Sequence, residues 1–211
     1  VRQYNLSEIK NFDTGIPIES GIKIINLDPK ENILNKKKIR NILKKISESN
    51  LDDLSHNIKN AYHENAEIYA FHPVNELKGV DEIIDTLWKP LIYSFPDLER
   101  RDNLIIGGSF QNRVYVSTVG HLTGTFAHPW LGVPSNGKTI HLRICEVHQI
   151  ENEKIINSHI LIDIMDFIRQ AGFWPVNPSL GIEEMWPGPI TGDGTTFENL
   201  DSNLSATTLD Q

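Results

Sequence analysis

The chain has 211 residues, above the usual size of one compact domain and short of two. It is 39% hydrophobic and 23% charged, with 4 Trp, 5 Tyr and 8 Phe; this is enough apolar material for a buried core and excludes collagen-like, coiled-coil and wholly disordered chains. Acidic residues outnumber basic ones by 28 to 20 and leave a net charge of −8, so neither nucleic acid nor an anionic membrane is expected as a partner.

The one cysteine, Cys145, cannot form an internal disulfide, and no window approaches the roughly 18 consecutive apolar residues of a membrane helix. The opening residues lack an apolar stretch behind a basic start, so no secretory signal is expected and the protein is read as soluble and cytoplasmic. Residues 1–34 form an irregular N-terminal arm by composition. From Lys36 the pattern becomes helical: Ile39, Ile42, Leu43 and Ile46 fall at i, i+3, i+4 and i+7, with Lys36, Lys37, Lys38, Arg40, Lys44 and Lys45 on the solvated faces. Ser49-Asn50 offers an N-cap for a second helix, with Asp52 and Asp53 at its positive end and Leu51, Leu54, Ile58 and Ala61 as its apolar stripe. Residues 66–72 read as a strand stopped by Pro73. A third helix starts near Val80 and carries Ile83, Ile84, Leu87 and Leu91 on one side, with Pro90 expected to kink or end it.

After Leu98 the chain turns β-rich. Strands are expected over 104–110, 114–126, 139–150 and 154–164, separated by turn-forming segments. A short helical turn over 166–171 is ended by Gly172. Residues 173–194, rich in Pro, Gly and Trp, form an arm whose Phe173, Trp174, Met185 and Trp186 are too apolar for water, and which either covers a cavity mouth or wraps the outside. Residues 195–211 read as a polar tail. Residues 35–172 therefore form one domain of the α+β class, a cone-shaped curved antiparallel sheet with the N-terminal helices packed over it.

The last hairpin is the most informative segment. With a loop of two or four residues Ile150 lies opposite Ile155, which sets Glu146 opposite His159 and Leu142 opposite Asp163. Alternation then puts Leu142, Ile144, Glu146, His148, Asn157, His159, Leu161 and Asp163 on one face, and Cys145, Val147, Ile156, Ile160, Ile162 and Ile164, together with His141 and Arg143, on the other. Carboxylates and imidazoles among aliphatic side chains suit acid and base catalysis, because desolvation draws a carboxyl pKa towards neutrality. Asp163, His159 and Glu146 are the catalytic candidates. His148, Asn157, Leu161, Ile144, Leu142, His121, Trp88 and Tyr69 are candidate substrate-binding residues. Two plainer alternatives stay open: Asp163 caps the turn that follows its strand, and Glu146 with His159 forms an exposed cross-strand pair. No His-Glu-x-x-His or Cys-x-x-Cys spacing appears, so no metal is expected. Asp13-Thr14-Gly15 and Gly107-Gly108-Ser109 lack the context of an aspartic protease or a serine hydrolase, and Cys145 reads as a small core residue.

Four segments, taken in order, carry a family likeness: Phe95-Pro-Asp-Leu98; Gly124-Thr-Phe126 leading to Gly132-Val-Pro-Ser-Asn-Gly-Lys138; residues 143–155 from Arg143; and Ser158-His-Ile-Leu-Ile-Asp163 followed by Gln170-Ala-Gly172. Over residues 36–172 the chain resembles the SnoaL-like polyketide cyclases, also described as predicted ester cyclases. These lie in the nuclear transport factor two-like superfamily that includes ketosteroid isomerase. The resemblance implies a cystatin-like α+β barrel with a ligand cavity and an Asp at the end of the last long strand as general acid/base, a position matched by Asp163. In cyclases of this family such an Asp supports an intramolecular aldol closure by proton transfer at an activated methylene. The family's Gly-x-His-x-Gly pattern is replaced by Gly120-His-Leu-Thr-Gly124, with the His displaced by one, and His159 stands where an aromatic is common. The expectation is a small-molecule enzyme of cyclase, isomerase, dehydratase or hydrolase type. It would need no metal or redox cofactor and act on a small hydrophobic or carbonyl-containing molecule. Its rival is a non-catalytic binding module of the same fold. A homodimer is expected through an apolar outer sheet face bearing Val147, Ile156, Ile160 and Ile162.

Overall fold

The computed structural model describes residues 27–110, 113–174, 177, 193–195 and 197. The first helix, α1 (Pro29–Ser47), starts seven residues before Lys36. Asp28 accepts the N–H of Lys30 at 3.1 Å and Pro29 occupies the first turn, where its missing donor is not needed. Ile39, Leu43 and Ile46 are buried as the periodicity requires. In α2 (Leu51–Ala61) the cap is Asn50, whose side chain accepts the N–H of Asp53 at 2.8 Å, and Leu54, Ile58 and Ala61 face inward.

Strand β1 (Tyr62–Ala70) follows α2 directly and turns back into a short edge strand, β2 (Glu76–Lys78). The next helical stretch is continuous but not uniform: α3 (Val80–Glu82) runs into a π-helical turn, Ile83–Trp88, and then into α4 (Lys89–Ser94). Lys89 N–H reaches back five residues to the Ile84 carbonyl. Pro90, which can neither donate nor tolerate a tight preceding turn, therefore sits just after a widened turn rather than ending the helix.

Strands β3 (Glu99–Phe110), β4 (Arg113–Thr125), β5 (Thr139–Glu151) and β6 (Lys154–Ile162) form the meander, and α5 (Ile164–Gln170) closes the domain. The six strands are ordered β2-β1-β6-β5-β4-β3, antiparallel except for β1 against β6. The sheet curves but does not close on itself, so β2 and β3 remain edges. Helices α1 and α2 cover one face, which we call inner. There Val116, Leu122, Ile140, Leu142, Ile144, Ile160 and Ile162 form the core with the helix stripes. At one end Phe95, Phe126, Trp130 and Phe167 pack ring against ring, with centroids 5.0–6.3 Å apart.

The β5–β6 hairpin corrects the expected face assignment. Its two-residue loop, Asn152-Glu153, has φ of 47° and 67°, as a tight hairpin turn requires, and Ile150 does face Ile155. The register then shifts by one, so that Gln149 faces Asn157, Glu146 faces Ile160, and Ile144 faces Ile162. One extra residue in a strand sends every later side chain to the opposite face. Ser158, Ile160 and Ile162 thus share the buried inner face with Glu146 and His148, while Asn157, His159, Leu161 and Asp163 lie on the outer one. For the same reason Ile160 and Ile162 are not part of an exposed patch. The exposed apolar side chains of the outer face include Tyr69, Leu104, Ile106, Phe110 and Leu161, the last 65% exposed. Cys145 is exposed on that face instead of buried in the core. Of the arm expected over 173–194, only Phe173, Trp174, Asn177, Asp193 and Gly194 are among the described residues; a 3₁₀ turn, Asp193–Thr195, packs against β3, and Phe197 lies 5.7–5.9 Å from the cations of Lys36, Lys37 and Arg40.

Candidate active site

The inner face carries a group of polar side chains with almost no access to water. Arg100 of β3 donates from Nε to Asp102 Oδ1 at 2.8 Å, from Nη2 to Thr118 Oγ1 at 2.8 Å, and from Nη2 to Glu146 Oε2. Thr118, on the intervening β4, donates to the same Glu146 oxygen at 3.0 Å. Glu146 and Arg100 side chains are 0% and 1% exposed. Burial by itself would raise the Glu146 carboxyl pKa, but the Arg100 charge and the nearby His148 outweigh it and hold the group well below the usual carboxylate range. Glu146 is therefore a fixed anion at neutral pH. His148, two residues on and on the same face, meets Ser158 Oγ through Nδ1 at 2.8 Å and brings Nε2 to 3.8 Å from Glu146 Oε2.

Tyr62, at the start of β1, extends this line. Its phenol is fully buried and is pushed upward first by burial and then by the Glu146 charge, so it stays protonated and can only act as an uncharged donor or acceptor. Its Oη lies near Ser158 and the Trp88 indole but meets hydrogen-bond geometry with neither. Trp88 itself is the last residue of the π-helical turn, a rare geometry that is frequent at functional sites. Five buried polar atoms in this group have no hydrogen-bond partner among the described residues: Tyr62 Oη, Trp88 Nε1, Arg100 Nη1, Glu146 Oε1 and His148 Nε2. Buried polar atoms are nearly always paired, so such a concentration calls for an explanation. Trp88 Nε1 and Arg100 Nη1 donate, Glu146 Oε1 accepts, and Tyr62 Oη and His148 Nε2 can do either, a set able to meet a carbonyl oxygen next to an acidic C–H.

Asp163 lies elsewhere. Its Oδ1 accepts the N–H of Asp166 at 2.9 Å and caps α5, and its Oδ2 meets Arg143 Nη2 at 2.7 Å. It also lines an open groove of about 780 Å³ on the outer face, together with Leu161, His121, Arg143, Leu104 and Cys145, with Ile144 contributing beneath. A volume of this order fits small-molecule pockets.

The expected site residues are thus divided. Glu146, His148 and Trp88 come together inside, above Leu142 and Ile144; Asp163, Leu161 and His121 line the outer groove. His159 stacks on Tyr69 with ring centroids 5.1 Å apart, and Asn157 lines a separate polar hollow beside Glu67 and Gln149. Arg100, Tyr62, Thr118 and Ser158 were not expected. Arg100 stands in Glu99-Arg-Arg-Asp102, which reads as surface charge; strand alternation from the buried Ile105 points to Arg101, and the register shift between Asp102 and Leu104 turns Arg100 inward instead. Among the described residues no three His, Cys, Asp or Glu side chains cluster as a metal site would require, and no helix is long and apolar enough to cross a membrane.

No curated protein matches the chain. Among solved structures, a protein described as a candidate SnoaL-like polyketide cyclase from a Jannaschia species superposes with a TM-score of 0.55 at 16% identity, covering 67% of this chain and 93% of its own. AclR of Streptomyces galilaeus, described as a candidate hydroxylase, gives 0.55 at 17% identity over 71% and 87%. IdmH of Streptomyces antibioticus, described as a candidate polyketide cyclase, gives 0.53 at 16% identity over 69% and 99%. At these identities the likeness concerns the fold. The model of SnoaL-like polyketide cyclases matches residues 40–171, the stretch that runs from α1 to the end of α5, and the chain belongs to that family.

Proposed function

We propose that the protein is a small-molecule enzyme that moves a proton next to a carbonyl group, and that the reaction takes place among the buried polar atoms of the inner face. The single observation that carries this reading is the grouping of five unpartnered polar atoms on the buried inner face. Tyr62 Oη–H and Trp88 Nε1–H would donate to the carbonyl oxygen. In the tautomer that gives Nδ1–H to Ser158 Oγ, His148 Nε2 has a free lone pair and would accept the proton of the adjacent carbon. The C–H electron pair then becomes the enolate double bond and the charge moves to the oxygen held by the two donors. Glu146, fixed as an anion by Arg100, would stabilise the imidazolium so formed. Incubating the protein in D2O with cyclic ketones, lactones and polyketide-like esters, and following the α-proton signals by NMR, tests this directly. Catalysed exchange supports it, and absence of exchange across the panel, with ligands raising the melting temperature, would favour the binding module instead.

A second reading keeps Asp163 as the proton-transfer residue, acting on a substrate in the outer groove. It is favoured by the position of Asp163 on an apolar groove of small-molecule size. We also infer a homodimer in which the half-exposed Ile106 and Phe110 on the outer side of β3 are covered by a second copy; a dimeric mass by light scattering at micromolar concentration supports this, and a monomeric mass counts against it.

A further inference from the structure

Two buried polar atoms of residues that line the outer groove find no partner among the described residues. His121 on β4 and Arg143 on β5 are directly opposed, a placement that sets Cβ atoms about 4.5–5.5 Å apart. His121 is 9% exposed, and its Nδ1 lies 3.1 Å from Asn103 Oδ1. A carboxamide oxygen only accepts, so Nδ1 carries the proton and Nε2 presents a lone pair. That Nε2 is buried and unpartnered, and so is the Nε–H of Arg143. Nη2 of the same guanidinium is engaged, lying 2.7 Å from Asp163 Oδ2 and 3.9 Å from Asp166 Oδ2. Burial, and then the neighbouring His141 and Arg143, lower the His121 pKa against the opposing pull of Asp166, so the imidazole is neutral at pH 7.

One bare acceptor and one bare donor therefore lie on neighbouring strands at the polar end of a groove whose walls include Leu104, Val119, Leu161 and Met165. A hydroxyl is the neutral group that answers both from one atom, donating its O–H and accepting on its oxygen. A carboxylate would meet the lone pair of His121 and the negative charges of Asp163 and Asp166. An ammonium group would have no lone pair for Arg143 Nε–H. We propose that this groove is a second small-molecule site, which takes an apolar ligand ending in an alcohol, phenol or enol, with His121 Nε2 accepting from the hydroxyl and Arg143 Nε donating to it. The proposal uses none of the inner-face residues, and it stands or falls apart from the chemistry proposed there.

Calorimetric titration of the full chain with three probes tests it: 1-naphthol, 1-methoxynaphthalene, which accepts but cannot donate, and 1-naphthoate. The expected result is binding of naphthol at least about tenfold tighter than either of the others, the factor a buried unmet hydrogen bond imposes, with the preference over the methoxy compound falling below about threefold in His121→Phe. Equal or tighter binding of naphthoate, no binding of naphthol, or an unchanged preference in His121→Phe would overturn it. Should that variant fail to fold, the wild-type protein decides: naphthol must shift the ¹⁵N resonance of His121 Nε2, and an unmoved resonance at saturating naphthol refutes the assignment.

Discussion

Arg100 on β3 and Glu146 on β5 are separated by the full width of β4, yet their side chains meet in an ion pair with 1% and 0% of their surface exposed. Thr118 of β4 bridges the gap by bonding to both. Removing one partner leaves the other charged in a dry interior, so Glu146→Ala is expected to destabilise the fold by about 3–5 kcal/mol, measurable by urea unfolding. Arg100→Met combined with Glu146→Leu and Asp102→Asn removes the three buried charges together and is expected to recover most of that loss.

The same pair sets an acid limit. Glu146 is ionised more readily in the folded chain than in the unfolded one, where its pKa is near 4.5. Its contribution is fully present above that value and is lost progressively as pH falls from there towards the lower folded value. Unfolding free energy followed from pH 7 to pH 3 should therefore drop below about pH 4.5, and the drop should be shallower in Glu146→Gln. Parallel curves for the two proteins would show that Glu146 is not held as described.

Asp163 gives a separable outcome. As the cap of α5 it can be replaced by Asn, which caps as well as Asp, whereas Asp163→Ala should lose about 1 kcal/mol. A melting temperature for Asp163→Asn close to wild type, with a lower one for Asp163→Ala, is expected. Equal loss in both would place the stabilisation in the contact with Arg143 instead.

Gly120 sits where β3 departs from regular pairing, between Arg101 and Asp102 on one side and Ile144 on the other. A Cβ added there would overlap the Arg101 carbonyl oxygen and the Asp102 Cα. Backbone cannot move aside as a side-chain end can, so Gly120→Ala is expected to cost about 1–3 kcal/mol. Gly108, whose Cβ would meet nothing within 4 Å, is the control, and a comparable loss in Gly108→Ala would refute the steric account.

Much of the architecture was legible in the pattern of residues. The apolar stripes of α1 and α2, the Asn50 cap and the four long strands follow from periodicity and capping chemistry that local sequence records. The short edge strand β2, with one buried residue in three, has too little pattern to read. The decisive failure was the single extra residue near Ile156. It lies one position beyond a correctly placed turn and a correct Ile150–Ile155 pair, and nothing in a run of Ile-Ile-Asn distinguishes a bulge from regular strand. The partners of Glu146 depend on which strands become neighbours, so Arg100, 46 residues away, could not be paired with it from spacing. His148 and Ser158 were separable only after the register was known.

The central claim is that proton transfer belongs to the inner face. It is tested most directly by the rate of α-proton exchange in D2O for three variants measured beside the wild type: His148→Gln, Tyr62→Phe and Asp163→Asn. The account predicts that exchange falls by about 100-fold to 10,000-fold in His148→Gln, the range for loss of a general base, falls in Tyr62→Phe through loss of an oxyanion donor, and stays near wild type in Asp163→Asn. Exchange that survives in His148→Gln and disappears in Asp163→Asn would contradict it and move the chemistry to the outer groove.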